Sequence, residues 1–186
     1  MEVKEILEKT KELMGKSLDF SKNQLSKVRT GRASASLVDN VKADYYGAPT
    51  LLSQMSSVNV PDARTIIIQP WDRTTLQAIE KAIQQADLGF NPQNDGNVIR
   101  IAVPPLTEER RKEFVKVCKK YAEDGRIAIR NIRRDQLEVI RKAEKDKLFS
   151  EDDKDWGEEE IQKITNDFIK KIDDFLLAKE KELMEG

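Results

Sequence analysis

The chain has 186 residues, enough for one large or two small domains with cores of their own. Charged residues make up 36% of it and hydrophobic ones 38%, with 8 Gly and 6 Pro, a balance that excludes a loop-rich or disordered chain and favours long amphipathic helices. Histidine is absent, which removes the commonest general base near neutral pH and the commonest metal ligand, and the lone Cys118 can form no internal disulfide.

The first helical pattern runs from about Val3 to Val28, with Val3, Ile6, Leu7, Leu13, Met14, Phe20, Leu25 and Val28 recurring at steps near three and four. Residues 31–106 have a different texture and hold all 6 prolines. Within them Val41–Tyr46 alternates, Gly47-Ala48-Pro49 reads as a turn, and Ser57–Val60 and Thr65–Gln69 are strand-like. Thr74–Ala86 follows as a short helix, Asp87–Asn97 as a surface loop by its turn chemistry, and Val98–Val103 as a last strand.

A second long helix is expected over Thr107–Leu148, a proline-free and charge-rich run. At about 100° per residue, Arg126, Arg130, Arg133, Arg134 and Arg141 fall within roughly 100° of arc. Phe114, Cys118, Tyr121, Ala128, Ile132, Val139 and Ala143 fall on the opposite side, so Cys118 is expected to be a small core residue rather than a nucleophile. Gly125 also lies on the apolar seam, where glycine costs about 1 kcal/mol relative to alanine. The third helix begins after Ser150, where Ser-Glu-Asp-Asp supplies a cap and an acidic first turn, and carries Ile161, Ile164, Phe168, Ile172, Phe175, Leu176 and Leu183 on one face.

Three helices of comparable length, each with one apolar stripe, are satisfied as an antiparallel bundle made from residues 1–30 and 107–186. Residues 31–106 are then an inserted small unit, and the chain crosses between the two near 30–33 and 104–106. Gly31 is permissive and Pro104-Pro105 is stiff, so Thr30, Gly31, Arg32, Pro104, Pro105 and Leu106 form a candidate hinge. With two covalent links, relative motion of the units is expected.

Charge is segregated along the chain. Residues 107–148 carry 14 Lys+Arg against 9 Asp+Glu, and residues 149–186 carry 6 against 13. Arginine presents a rigid fork of donors matched to phosphate oxygens, so a row of it on a long helix is a candidate nucleic-acid surface. The bland reading is a solvated face laced with intrahelical pairs such as Arg134 with Glu138. Against it, Arg130 and Arg133 have Arg134 and Leu137 four residues ahead instead of acids. Arg29 and Arg32, at the end of the first helix, are the second candidate pair; bundle packing can bring them beside the middle helix, and helix termination is their bland reading.

Catalysis has little support: there is no phosphate-binding loop, dinucleotide fingerprint, nucleophile elbow or metal cluster in the sequence. The acidic groups at 151–155 and 158–160 suit the dipole of a helix start. No metal or cofactor is expected. With no signal-like or membrane-spanning apolar run, a reducing cytoplasm is the expected compartment and no membrane partner is expected. A helical adaptor binding proteins through its acidic third helix, and an enzyme with a carboxylate site, stand as alternatives from other classes.

Arg29-Thr-Gly-Arg-Ala-Ser34, Tyr45-Tyr46-Gly47, Pro104-Pro-Leu-Thr-Glu-Glu-Arg-Arg111, Ile129-Arg-Asn-Ile-Arg-Arg134, Ser150-Glu-Asp-Asp153 and Ile161-Gln-Lys-Ile-Thr165 occur in this order along the chain. Together they resemble the bacterial ribosome recycling factor family over essentially the whole length. The resemblance implies an α+β, L-shaped protein: a long antiparallel three-helix bundle with an inserted small β/α/β sandwich on a flexible hinge. It implies binding to the post-termination ribosome and, with elongation factor G and its GTP, dissociation into subunits with release of mRNA and tRNA. It implies no cofactor of the protein's own, a monomer, a bundle lying against large-subunit rRNA, and a smaller domain facing the elongation factor. Arg29, Arg32, Arg130 and Arg133 match the family's rRNA-contacting positions; Arg126 and Arg134 join them as candidates from their place on the same helix face.

Overall fold

The computed structural model describes residues 2–185. The chain is α+β and divides into two compact units, residues 2–30 with 108–185, and residues 31–107, so that Thr107 goes with the second unit.

The first unit is a bundle of three long helices, α1 (Val3–Ser26), α4 (Glu108–Lys145) and α5 (Glu151–Glu185). Its helix ends are built from local chemistry. Glu5 Oε2 accepts from the Glu2 amide at 3.0 Å at the start of α1. Ser150 and Asp153 bond reciprocally at the start of α5, the Asp153 amide to Ser150 Oγ at 3.1 Å and the Ser150 amide to Asp153 Oδ2 at 3.2 Å, a capping box with Asp in place of Glu. The C-terminus of α4 closes with Lys147 at φ 59°. The Leu148 amide reaches Ala143 O and the Lys147 amide reaches Glu144 O, both at 2.9 Å, a Schellman motif that turns the chain back into α5.

Two glycines set the helix register. A Cβ on Gly125 of α4 would collide with Ser21 Oγ of α1 and come within 3.2 Å of Ile172 Cδ1 of α5. A Cβ on Gly157 of α5 would come within 2.8 Å of Ile140 Cδ1 and 2.9 Å of Val3 Cγ1. A step of 15 residues up α4, from Gly125 to Ile140, is therefore matched by 15 down α5, from Ile172 to Gly157. So α4 runs antiparallel to both α1 and α5. The helix-propensity cost of Gly125 is thus the condition of a close three-helix contact.

Burial departs from the sequence expectation in ways that follow from this packing. In α1, Leu18 is buried and Phe20 lies 64% exposed, because residue 18 continues the row of Met14 while residue 20 is turned about 240° from Met14. In α4 the fully buried positions are Cys118, Ala122, Gly125, Ile129, Ile140 and Ala143, whereas Val139 is exposed and Phe114, Tyr121, Ala128 and Ile132 are only half-buried. The buried arc is rotated toward the arginines by about 60° at 100° per residue. A middle helix with two neighbours is covered over a wider arc than one apolar stripe marks. In α5, Phe168 and Phe175 are half-buried, and Thr165 and Gly157 join Ile161, Ile164, Ile172, Leu176 and Leu183 inside.

The second unit has a two-stranded sheet, β1 (Lys42–Tyr45) with β2 (Ala48–Leu51), and a four-stranded antiparallel sheet of order β3-β4-β6-β5, built from β3 (Ser56–Asp62), β4 (Thr65–Pro70), β5 (Pro92–Asn94) and β6 (Ile99–Ala102). The short α2 (Leu52–Met55) joins the sheets, and α3 (Leu76–Gln85) packs against β1 and β5. Ile66 and Ile68 pair with Ile101 and Ile99 and bury one face of the sheet under Ile79 and Ile83 of α3. Two expectations are corrected. The turn lies at Tyr46-Gly47, both with positive φ as a two-residue hairpin loop requires, so Ala48 and Pro49 belong to β2; Pro49 is tolerated there because this ribbon has open edges. The stretch 87–97 is not all loop, since Pro92–Asn94 pairs with β6 as an outer strand whose proline signals no ladder.

Gly125→Val should lower bundle stability by about 1–3 kcal/mol, the usual cost of overpacking, measured by chemical denaturation with the fold retained. A gain in stability would show that the three helices are not held at this contact.

Candidate nucleic-acid interface

The rigid 38-residue α4 carries most of the candidate side chains, and α5 beside it decides what each can do. Arg126 is mostly buried and clamped: Nε and Nη2 lie 2.8 Å and 2.6 Å from Asp173 Oδ1, and Nη1 lies 3.0 Å from Glu123 Oε2. Burial opposes its charge, and the two carboxylates outweigh burial, so its pKa is held above the ordinary value. Arg130 is exposed and reaches back seven residues to Glu123 Oε1 at 3.3 Å. Arg130 has no acid four residues ahead, as the sequence shows, but it finds one seven residues behind. A pair spaced seven apart spans two turns, beyond the four-residue rule but within reach of two extended side chains.

Arg133 is half-buried, and its Nη1 donates to the Oε1 of Gln162 on α5 at 2.7 Å. Arg134 is exposed, with Nε 3.7 Å from the equally exposed Asp135 instead of a bond to Glu138. Arg141 donates through Nε to Glu158 Oε1 at 2.7 Å. Arg126, Arg133 and Arg141 thus line the edge of α4 that faces α5, while Arg130 and Arg134 point further into solvent.

Arg29 belongs to the bundle and lines a shallow hollow of about 270 Å³ with Lys27, Phe114, Val117 and Tyr121. It therefore sits beside the middle helix, but at the level of Val117, roughly 14 Å along the axis from Arg126 at 1.5 Å per residue. Arg32 belongs to the second unit. Arg29 and the α4 row are thus separated along the axis of the bundle. Thr30 and Gly31 mark the first crossing between units, and Thr107 and Glu108 the second. Gly31, at φ 78°, lies against Leu106, where a Cβ would come within 3.0 Å of Cγ. Both strands of this crossing are tied to the β3–β4 turn. The Ala33 amide donates to Ala63 O at 2.8 Å, the Val103 amide to Arg64 O at 2.7 Å, and Arg64 Nη1 to Gly31 O at 2.6 Å. Pro104 and Pro105 follow Val103 directly and are exposed.

The sequence reading missed Glu123, Asp173, Gln162 and Asn166. Glu123 was recoverable from its spacing to Arg126; the α5 residues were not, because their pairing depends on the register set at Gly125 and Gly157. Cys118 is buried, and burial raises its thiol pKa, which suits a packing role. Among the described residues there is no group of His, Cys, Asp and Glu placed to hold a metal, and no helix is long and apolar enough to cross a membrane.

A long, stiff, arginine-bearing helix in a three-helix bundle, linked twice to a small α/β unit, defines a binding protein. Comparison with known proteins gives the family. The sequence model described as ribosome recycling factor matches residues 21–184. Ribosome-recycling factors of Oleidesulfovibrio alaskensis and Bacillus subtilis are 57% and 52% identical, over 97% and 98% of this chain and 98% of each relative. A solution structure of the ribosome recycling factor superposes with a TM-score of 0.79 at 40% identity, covering 100% of this chain and 99% of that one. A second structure, of the T. thermophilus ribosome recycling factor with E. coli elongation factor G on the E. coli post-termination complex, gives 0.67 at 48% identity, covering 98% and 99%. The chain belongs to the ribosome recycling factor family, a family of translation factors.

The hydrogen bond from Arg126 is the largest influence holding the Glu123 carboxyl below its ordinary value of 4.5, burial opposing it and Arg130 adding to it. Its ionised form therefore contributes stability that is complete above 4.5 and is lost as pH falls through the lower, folded value. An NMR titration should find the Glu123 midpoint below 4.5, and Arg126→Ala should move it back up toward 4.5. An unmoved midpoint would show that the clamp does not exist in solution.

Proposed function

We propose that the protein binds the post-termination ribosome in the cytoplasm as a monomer and, with elongation factor G and GTP, promotes its dissociation into subunits with release of mRNA and tRNA. The observation that carries this is family membership over nearly the whole chain, joined to a row of arginines on a rigid helix. The relative bound to a post-termination complex with elongation factor G supports the choice of partners.

In this reading the bundle is the anchor and large-subunit rRNA its ligand. Arg130, Arg133 and Arg134, with Arg29 and Arg32, supply charge-assisted bonds to phosphates. The part of Arg126 is to hold Glu123 and, through it, the resting position of Arg130. The exposed pair between Arg130 and Glu123 is weak and yields readily to a phosphate. The smaller unit meets elongation factor G; its exposed Tyr46 and Trp71 are of the types enriched at protein interfaces. The protein carries out no chemistry and holds no cofactor, since GTP is hydrolysed by its partner. Thr30, Gly31, Arg32, Pro104, Pro105 and Leu106 form the hinge across which the GTPase moves one unit against the other.

Sedimentation of post-termination ribosomes with the protein, elongation factor G and GTP should yield subunits, and omission of any one component should not. Intact ribosomes in the complete mixture would refute the reading. Gly31→Val places a β-branched side chain at positive φ against Leu106, so it should retain ribosome binding while slowing subunit formation. Unaltered splitting by this variant would remove Gly31 from the mechanism.

A further inference from the structure

Arg133 differs from its neighbours in what holds it. Arg126 and Arg141 bond carboxylates of α5, and Arg130 bonds a carboxylate of α4, so each of these charges is compensated where it stands. Arg133 bonds the neutral amide oxygen of Gln162 at 2.7 Å, and among the described residues no carboxylate pairs with it. Gln162 is itself oriented: its Nε2 donates to Asn166 Oδ1 at 2.8 Å, one turn further along α5. An amide has one accepting and one donating end. With the donating end held by Asn166, the accepting end is turned to Arg133.

The remaining donors of Arg133 sort by exposure. Nε is buried without a partner, whereas Nη2 is not among the buried unpaired atoms and reaches solvent. A carboxylate at position 162 would steady the guanidinium equally well but cancel its charge. An apolar residue would leave the charge but not the position. The neutral amide does the first without the loss of the second.

We propose that Gln162, oriented by Asn166, is a positioning residue that holds the Arg133 guanidinium with its charge uncompensated for one phosphate group of ribosomal RNA. This rests on the reading of the bundle as the RNA-binding unit. Rigid presentation lowers the ordering cost that a long, mobile arginine meets on binding. The full positive charge retains the release of one counterion on phosphate contact.

The test uses the full chain and its variants Gln162→Glu, Gln162→Met, Arg133→Ala and the two double variants, with binding to purified ribosomes followed across a salt series. Gln162 is exposed, so the substitutions leave the core intact, and thermal melts check this. Gln162→Glu should weaken binding about tenfold and reduce the slope of log affinity against log salt by about one, as Arg133→Ala does. Gln162→Met should weaken binding about threefold with the slope unchanged, because the charge remains and only its position is lost. In the Arg133→Ala background neither substitution should have a further effect. Wild-type binding by both Gln162 variants, or an equal loss in the presence and absence of Arg133, overturns the positioning role and leaves the wider reading intact. Wild-type binding by Arg133→Ala itself removes Arg133 from the RNA contact and the positioning role with it.

Discussion

At Gly125 and Gly157 the helices α1, α4 and α5 approach so closely that there is no space for a side chain: a Cβ at either position would meet Ser21 and Ile172, or Ile140 and Val3. These two contacts lie 15 residues apart along α4, about 22 Å at 1.5 Å per residue, so they fix both the register and the alignment of the rods. The polar edge between α4 and α5 follows from that. Asp173 stands one residue beyond Ile172 and meets Arg126, one beyond Gly125; Glu158 stands one beyond Gly157 and meets Arg141, one beyond Ile140. Packing at two small residues thereby sets which arginines are compensated.

The same constraint accounts for what was legible in the sequence. The extent of the three helices was legible because each has an apolar period and plain end signals, such as Ser150 with Asp153, and because proline is confined to the insert. The seam of α4 was read about 60° off, because Phe114, Tyr121, Ile132 and Val139 draw the stripe to one side of Gly125, while the buried Ala122, Ile129 and Ile140 lie on its other side, toward the arginines. A helix with neighbours on two sides buries apolar residues over an arc wider than a single stripe, and the pattern alone does not say which part of that arc is covered. In the insert, β5 is three residues with a proline, and Tyr46 takes a positive φ that its side chain does not advertise. Its ring hydroxyl donates to Asp72 Oδ2 at 2.5 Å, a contact 26 residues away that no local pattern contains.

The candidate site was legible in its residue type and less so in its arrangement. The row from Arg126 to Arg141 can be read from periodicity alone. The division of that row into compensated and uncompensated members cannot, because Asp173, Gln162 and Glu158 are 47, 29 and 17 residues distant from the arginines they meet. The separation of charge in the sequence, basic middle helix and acidic third helix, suggests two opposed faces. In space the two helices are neighbours, and the acidic helix neutralises one edge of the basic one.

That neutralisation sharpens the surface instead of cancelling it. A row of equally free arginines on one helix would repel itself and bind any polyanion over a broad strip, with the salt sensitivity that such binding carries. Compensating Arg126 and Arg141 and leaving Arg133 against an amide confines the full charge to a short central stretch with Arg134 beside it and the weakly paired Arg130 one turn before. In the anchoring role proposed for the bundle, binding then depends on phosphates placed to match that stretch, at a spacing set along one continuous 38-residue helix. An attachment of that kind is localised, where a diffuse basic patch would hold a polyanion at many positions along its length.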